Sequence, residues 1–324
     1  MDKPACQAKA GHVQDLKIDA EKKSKSKLNS LLDPYLPADL HGIVGEYLND
    51  SGDSIKCTTY FEAHDKAITA LCQLQNGRLV SGSSDKRIKI WDLSTNDCLA
   101  TLEGCGFTSD DIDCVGALFP LPNDKLASSC SDGTIKTWDL TTNTCTKNKG
   151  SRPFQLFQLE DGKLTACSRS CTGSEIIVWD VATKKCITTL QGHNFSEVSC
   201  KLHNGKLALI DDDGISAWDL TNCTSANILK VHKSSVKAMC QLKDGSLALG
   251  CANETIRIYD LTTKKCVAIV TLEKIGSYPS LRTLCTLQDG RIVSGYGDGT
   301  VRIYSNQYQE LMSAVKPDSK CTIL

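Results

Sequence analysis

Apolar and polar positions alternate along Leu79–Leu93, LVSGSSDKRIKIWDL, in two short runs joined at a tight turn that carries Asp85. Ile88, Ile90 and Trp91 form the apolar side of the second run. A period of two marks half-buried strands, so the stretch predicts a β-hairpin. Variants of it recur as LASSCSDGTIKTWDL (126–140), LALIDDDGISAWDL (207–220), LALGCANETIRIYDL (247–261) and IVSGYGDGTVRIYS (292–305), and a looser copy ends IIVWDV at 176–181. The aromatics that mark the six copies, Trp91, Trp138, Trp179, Trp218, Tyr259 and Tyr304, are 47, 41, 39, 41 and 45 residues apart. A period of about 42 residues is the length of a four-stranded propeller blade. Each unit opens with an apolar strand and turns at Asn76-Gly77, Asn123-Asp124, Asp161-Gly162, Asn204-Gly205, Asp244-Gly245 or Asp289-Gly290. These are residues that tolerate positive φ in two-residue hairpin turns.

A ring of blades has to close, because an unpaired edge invites association. Ile55–Phe61 is a spare strand ahead of the first complete unit, and it is expected to supply the outer strand of the last blade, whose other strands fall within 278–306. The expected fold is all-β, a six-bladed propeller with a short helical N-terminal segment. A seventh blade would have to come from the first 50 residues, and their helical character argues against it.

With His64, Gln191-Gly192-His193 and Val231-His232 placed ahead of the first strands, these motifs resemble the WD-repeat (WD40) β-propeller family over about 250 residues. Seven blades are usual in that family. The resemblance implies a structural tetrad of His64, Ser83, Asp85 and Trp91 that ties the turn between strands to the aromatic. A histidine, a hydroxyl and a carboxylate are also the cast of a hydrolase triad, but the set decays across the copies. The fifth offers His232, Cys251, Asn253 and Tyr259, and the fourth offers His193 with Ile210 at the hydroxyl position. Such decay fits a stabilising role. The chain has no Gly-rich phosphate loop, HExxH run or nucleophile elbow, so neither enzymatic activity nor a catalytic residue, metal or cofactor is expected.

Two segments lie outside the repeat, which divides the chain into a 1–53 extension, a 54–306 propeller and a 307–324 tail. Residues 1–12 read as disordered and Val13–Leu32 as a polar helix with a basic run at Lys22, Lys23, Lys25 and Lys27. In Leu36–Leu48, LPADLHGIVGEYL, Pro37 suits a helix start and Leu40, Val44, Tyr47 and Leu48 share one face. The segment either packs on the propeller or meets a partner. It resembles the first helix of an F-box through Leu36, Pro37, Asp39, Leu40, Val44, Tyr47 and Leu48, although Ile55 begins a strand where two further F-box helices would follow. That resemblance implies a Skp-type ubiquitin-ligase adaptor as partner. The last four residues, Cys321-Thr322-Ile323-Leu324, fit a CaaX box whose terminal Leu favours geranylgeranyl on Cys321.

Composition narrows the remaining choices. The 324 residues are 40% apolar and 23% charged, which is globular composition. A net charge of −1 and a pI near 6.6 give no basic surface for nucleic acid. No secretory leader and no membrane-length apolar run is present, so a cytoplasmic chain is expected, with membrane association through the prenyl group. The 18 cysteines follow the repeat instead of forming a disulfide framework. Cys72, Cys200, Cys240 and Cys285 fall inside apolar strands, whereas Cys98, Cys145, Cys186, Cys223 and Cys266 begin the strand after each signature. Reduced thiols in a reducing cytosol are expected, and no zinc spacing appears.

Function is therefore expected on a surface. The repeat is lengthened at Cys105–Asp113 and Leu272–Ser280, between blades, and at Ser168–Ser174, within the third unit. In a propeller these links open on one face, while the opposite turns stay short. The longer face would display Phe107, Asp110, Asp111, Arg152, Phe154, Arg169, Tyr278 and Tyr296, with an acidic patch extended by Asp211–Asp213. A protein or peptide ligand, basic or Arg-containing, is the expected partner of a monomeric scaffold. Helix, propeller and prenyl box together also resemble effectors that intracellular bacteria place in a host cell, or the substrate receptor of a cullin-type ligase.

Overall fold

The computed structural model describes residues 10–11 and 57–305, apart from 106–113, 150–152, 160–161, 163, 170–174, 184, 192–195, 197, 233–234 and 272–279. The strands form six antiparallel sheets. Blade 1 runs from Ile68–Gln73, innermost, through Leu79–Ser83 and Arg87–Trp91 to Cys98–Glu103, outermost. Blades 2 to 5 repeat the order from innermost strands Val115–Leu121, Pro153–Gln158, Ser199–Lys201 and Val236–Gln241. Blade 6 holds Leu281–Thr286, Ile292–Tyr296 and Thr300–Tyr304, and its outer strand is Cys57–Glu62. The register Thr59↔Ile303 and Phe61↔Val301 joins the two ends of the repeat region, as the spare strand predicts. Ala10–Gly11 adds a short fifth strand outside Cys57–Glu62, pairing Ala10↔Phe61, where no order is expected from the sequence.

The inner strands touch their neighbours all the way round, blade 6 meeting blade 1. A blade is thus covered on both faces, which is why Leu79–Ser83 and Leu247–Cys251 are buried along their whole length instead of alternating. Small residues set how closely the blades approach. A Cβ on Gly82 would lie 2.5 Å from Val115 Cγ1 of the next blade, and one on Gly250 would lie 2.4 Å from Leu281 Cδ2.

Polar groups cross the same boundaries. Gln73 Nε2 donates to the Gly77 carbonyl of its own turn, and Gln73 Oε1 accepts from the Gln288 amide of blade 6. Gln241 repeats the arrangement with Gly245 and with the His203 amide of blade 4. Lys89 and Lys136 are buried and donate to the carbonyls of Ala63 and Glu103, where the preceding blade's outer strand ends. The hairpin turns differ from the simple two-residue type. In the first blade the Gly77 amide closes on the Leu74 carbonyl and only Gly77 has positive φ, whereas in the second Asn123 and Asp124 both do.

Cysteines behave as expected with one exception. Cys72, Cys200, Cys240 and Cys285 are buried, and burial pushes the Cys72 thiol up to about 12 and the Cys240 thiol up to about 11. Cys98, Cys186 and Cys266 each donate from Sγ to the carbonyl two residues ahead at 3.5 Å, where a bulge opens the outer strand. Cys57 does the same in blade 6 and is the sixth member of that set. The exception corrects the expectation of reduced thiols throughout. Cys105, at the start of a lengthened link, and Cys130, in the second strand of blade 2, form a disulfide with Cα atoms 5.6 Å apart. Both are buried. Their pairing escapes sequence reading because it depends on blade 1 lying against blade 2.

In blades 1 to 5 the Asp of the signature holds the turn that follows the third strand. Asp139 Oδ1 accepts from the Thr141 amide and hydroxyl at 3.1 and 2.6 Å. Asp92 takes the same bonds from Ser94, and Asp219 from Thr221. These hydroxyls, and then the amides, hold the carboxyls of Asp92 and Asp219 below the ordinary range and that of Asp139 at about 2. The unfolded chain therefore takes up protons before the folded one does as pH falls. Their stabilisation is complete above the ordinary carboxylate value of about 4 and is lost as pH drops toward about 2 for Asp139. Urea unfolding should show a falling midpoint over that window, and Asp139→Asn should flatten the dependence; an equally steep dependence in the variant would refute it.

Candidate functional site

The hydroxyl, histidine and carboxylate of blade 1 converge, with one substitution in the expected set. Asp85 sits on the turn after Leu79–Ser83, and His64 lies in the connection that enters the blade. His64 Nδ1 is 2.8 Å from Asp85 Oδ2, and His64 Nε2 is 2.7 Å from the Oγ of Ser81, not of Ser83. Trp91 Nε1 donates to the same Ser81 oxygen at 2.8 Å. One assignment satisfies every atom: Nδ1–H donates to Asp85, and the Ser81 hydroxyl donates to Nε2 while accepting from the indole. Ser83 stands two residues away and serves the loop, donating to the Lys66 carbonyl and accepting from the Asp85 amide. Register decides between them, since Leu79 pairs with Trp91 and this leaves Ser81 beneath the indole nitrogen.

Burial pushes the Asp85 carboxyl up, but the hydrogen bonds it accepts, first from His64 and then from the Arg87 amide, outweigh it and the net shift is downward. The His64 side chain is fully buried and that of Asp85 is 7% exposed, so no substrate reaches the set. Its hydroxyl already carries two partners. The arrangement is a brace and offers no nucleophile.

Other blades keep part of the brace. Trp138 Nε1 donates to Ser128 and Trp179 Nε1 to Ser168, both at the position of Ser81. Blade 4 has Leu209 and blade 5 has Leu249 there. In blade 6 Tyr296 and Tyr304 join through their hydroxyls at 2.8 Å, and the Arg302 guanidinium lies 4.2 Å from the Tyr296 ring centre. This corrects the assignment of Tyr296 to the binding face: it is 1% exposed and belongs to the core between blades 5 and 6. Tyr296 is the last residue of the strand Ile292–Tyr296, at the position Ser83 holds in blade 1, and its ring turns inward.

Among the other expected surface residues, Phe154 is half-buried and packs on the core shared by blades 3 and 4. Asp212 and Asp213 are exposed, while Asp211 is half-buried and accepts from the Ser216 hydroxyl and the Asp213 amide. Phe107, Asp110, Asp111, Arg152 and Tyr278, and the side chain of Arg169, lie outside the described residues, as do Leu36, Pro37, Leu40, Val44, Tyr47, Leu48 and Cys321.

Comparison with known proteins agrees with this geometry. Residues 55–92, 96–139 and 223–260 match the WD40 family, described as WD domain, G-beta repeat. Among solved structures, the crystal structure of the WD40 beta propeller domain of Doa1 superposes with a TM-score of 0.56 at 19% identity, over 78% of this chain and 90% of that one. At that identity the likeness shows the fold alone. Three segments of the chain match the WD40 repeat, and its strands form a six-bladed propeller.

The brace distinguishes its two serines energetically. Ser81→Ala leaves the Trp91 indole N–H and His64 Nε2 buried without a partner and should cost about 2–4 kcal/mol, whereas Ser83→Ala should cost about 1 kcal/mol. Equilibrium denaturation of both variants checks this, and equal losses would contradict the assignment.

Proposed function

We propose that the protein is a non-enzymatic scaffold that holds a partner protein or peptide on the face where the links between blades and the turns between second and third strands open. The unequal loops carry this reading. The strands leave 11 residues between Glu103 and Val115 and nine between Thr271 and Leu281 on that face, while the first-to-second-strand turns stay short in every blade. Long loops on a rigid frame are where binding residues collect. Phe107, Asp110, Asp111, Arg152, Phe154, Arg169 and Tyr278 are the proposed contacts, and the exposed Asp212 and Asp213 favour a basic segment in the ligand.

Two segments outside the ring extend the reading. Leu36, Pro37, Leu40, Val44, Tyr47 and Leu48 are proposed to recruit a Skp-type adaptor, which would make the protein a substrate receptor of a cullin-type ligase. Cys321 is proposed to take a prenyl group and bring the propeller to a cytosolic membrane, that of a host cell in the effector reading. Anchoring by a single chain is weak and reversible.

Affinity capture from eukaryotic lysate should recover the adaptor with the wild-type chain and lose it with Leu40→Asp and Leu48→Asp; its absence from the wild-type eluate would remove the ligase role. Incubation with geranylgeranyltransferase should raise the intact mass by one geranylgeranyl group, and Cys321→Ser should abolish the gain. An unchanged wild-type mass would remove the membrane role.

A further inference from the structure

A cavity of about 330 Å³ opens between blades 5 and 6. Its walls come from both inner strands, through Lys237 and Arg282, and from the Cys251–Glu254 turn, with Ser280 and Leu281 completing it. The base is tightly fitted, because the Leu281 side chain lies over Gly250, where any Cβ would collide with it. Backbone bonds fix each side: the Ala252 amide donates to the Ser235 carbonyl at 2.7 Å, and the Gly297 amide donates to the Ser280 carbonyl at 2.9 Å. Gly297 leaves room for Ser280, whose Oγ would lie 2.8 Å from a Cβ at that position.

The positive charge is specific to this boundary. Lys237 and Arg282 occupy the second position of their inner strands, and the same position holds Thr69, Gly116 and Phe154 in blades 1 to 3. Both cations are exposed, and among the described residues neither has an ion pair with a carboxylate. Among the described lining residues Glu254 is the one acidic group, beside the two cations. A guanidinium and an ammonium on adjacent strands over an apolar base suit a ligand group with an anionic tip.

We propose that this cavity seats an anionic side chain of the partner segment, a carboxylate or a phosphate, with Arg282 and Lys237 as its two donors. The proposal rests on the reading of this face as the ligand-binding face and adds an acidic position to a ligand whose basic part meets Asp212 and Asp213.

Selection of random peptides displayed on phage against the full chain tests it. Wild-type protein should enrich peptides with an acidic residue at a fixed place, and Lys237→Ala with Arg282→Ala should weaken a selected peptide about tenfold or more. Replacing that acidic residue by Gln should weaken wild-type binding to the same degree and leave the double variant unaffected. Synthetic forms of the peptide bearing Glu or phosphoserine at that place then distinguish carboxylate from phosphate. The charge reversal Lys237→Glu with Arg282→Glu should move the preference to basic residues, and thermal unfolding should show all variants folded. Enrichment without an acidic position, or an unchanged preference in the double variant, overturns the cavity proposal alone. Failure to enrich any peptide overturns it together with the scaffold reading.

Discussion

A four-stranded antiparallel sheet with two apolar faces cannot bury either of them alone, and everything else in this propeller follows from that. Each blade is covered only by its neighbours, so none has a complete core of its own. The hydrophobic clusters accordingly span boundaries: Val80, Ile88 and Ile90 of blade 1 pack with Val115, Leu118 and Leu126 of blade 2. Such an arrangement has no tolerable end. Pairing Cys57–Glu62 with Thr300–Tyr304 removes the end and makes the stability of every blade depend on closure.

Polar groups then determine how the blades are held in register. Buried donors need partners, and this chain places several of those partners on the adjacent blade, through Gln73, Gln241, Lys89 and Lys136. The His64–Asp85–Ser81–Trp91 set acts within one blade instead, linking the entering loop to two strands. Where Leu209 and Leu249 replace the serine, apolar packing carries the same position. The marked signature is therefore a frame, and the residues proposed for recognition, Lys237 and Arg282, stand where neighbouring copies differ.

The strands, the six copies and the closing strand could be read from the chain because period-two alternation and Gly-containing turns are local signals. What could not be read depends on register or on neighbours. Ser81 and Ser83 are two residues apart on one strand, and only the pairing of Leu79 with Trp91 shows which one meets the indole. Tyr296 looks like a loop aromatic until its hydroxyl is seen to meet that of Tyr304. Cys105 and Cys130 carry no spacing that would pair them. The cavity between blades 5 and 6 was equally hidden, since Lys237 and Arg282 are 45 positions apart in the chain and become neighbours only through the ring.

Closure also orders events during synthesis. Thr58 donates its hydroxyl to the Ile303 carbonyl across a sequence separation of 245. At ribosomal speeds of about 5–20 residues per second, the strand made first waits on the order of tens of seconds for its partner. Through that interval the growing chain is an open arc with an uncovered sheet face at each end, which is the form most open to pairing with another nascent chain. The protein is thus most exposed to misassembly while it is being made, and a chaperone that shields the emerging Cys57–Glu62 strand would act where the finished ring has nothing left to protect.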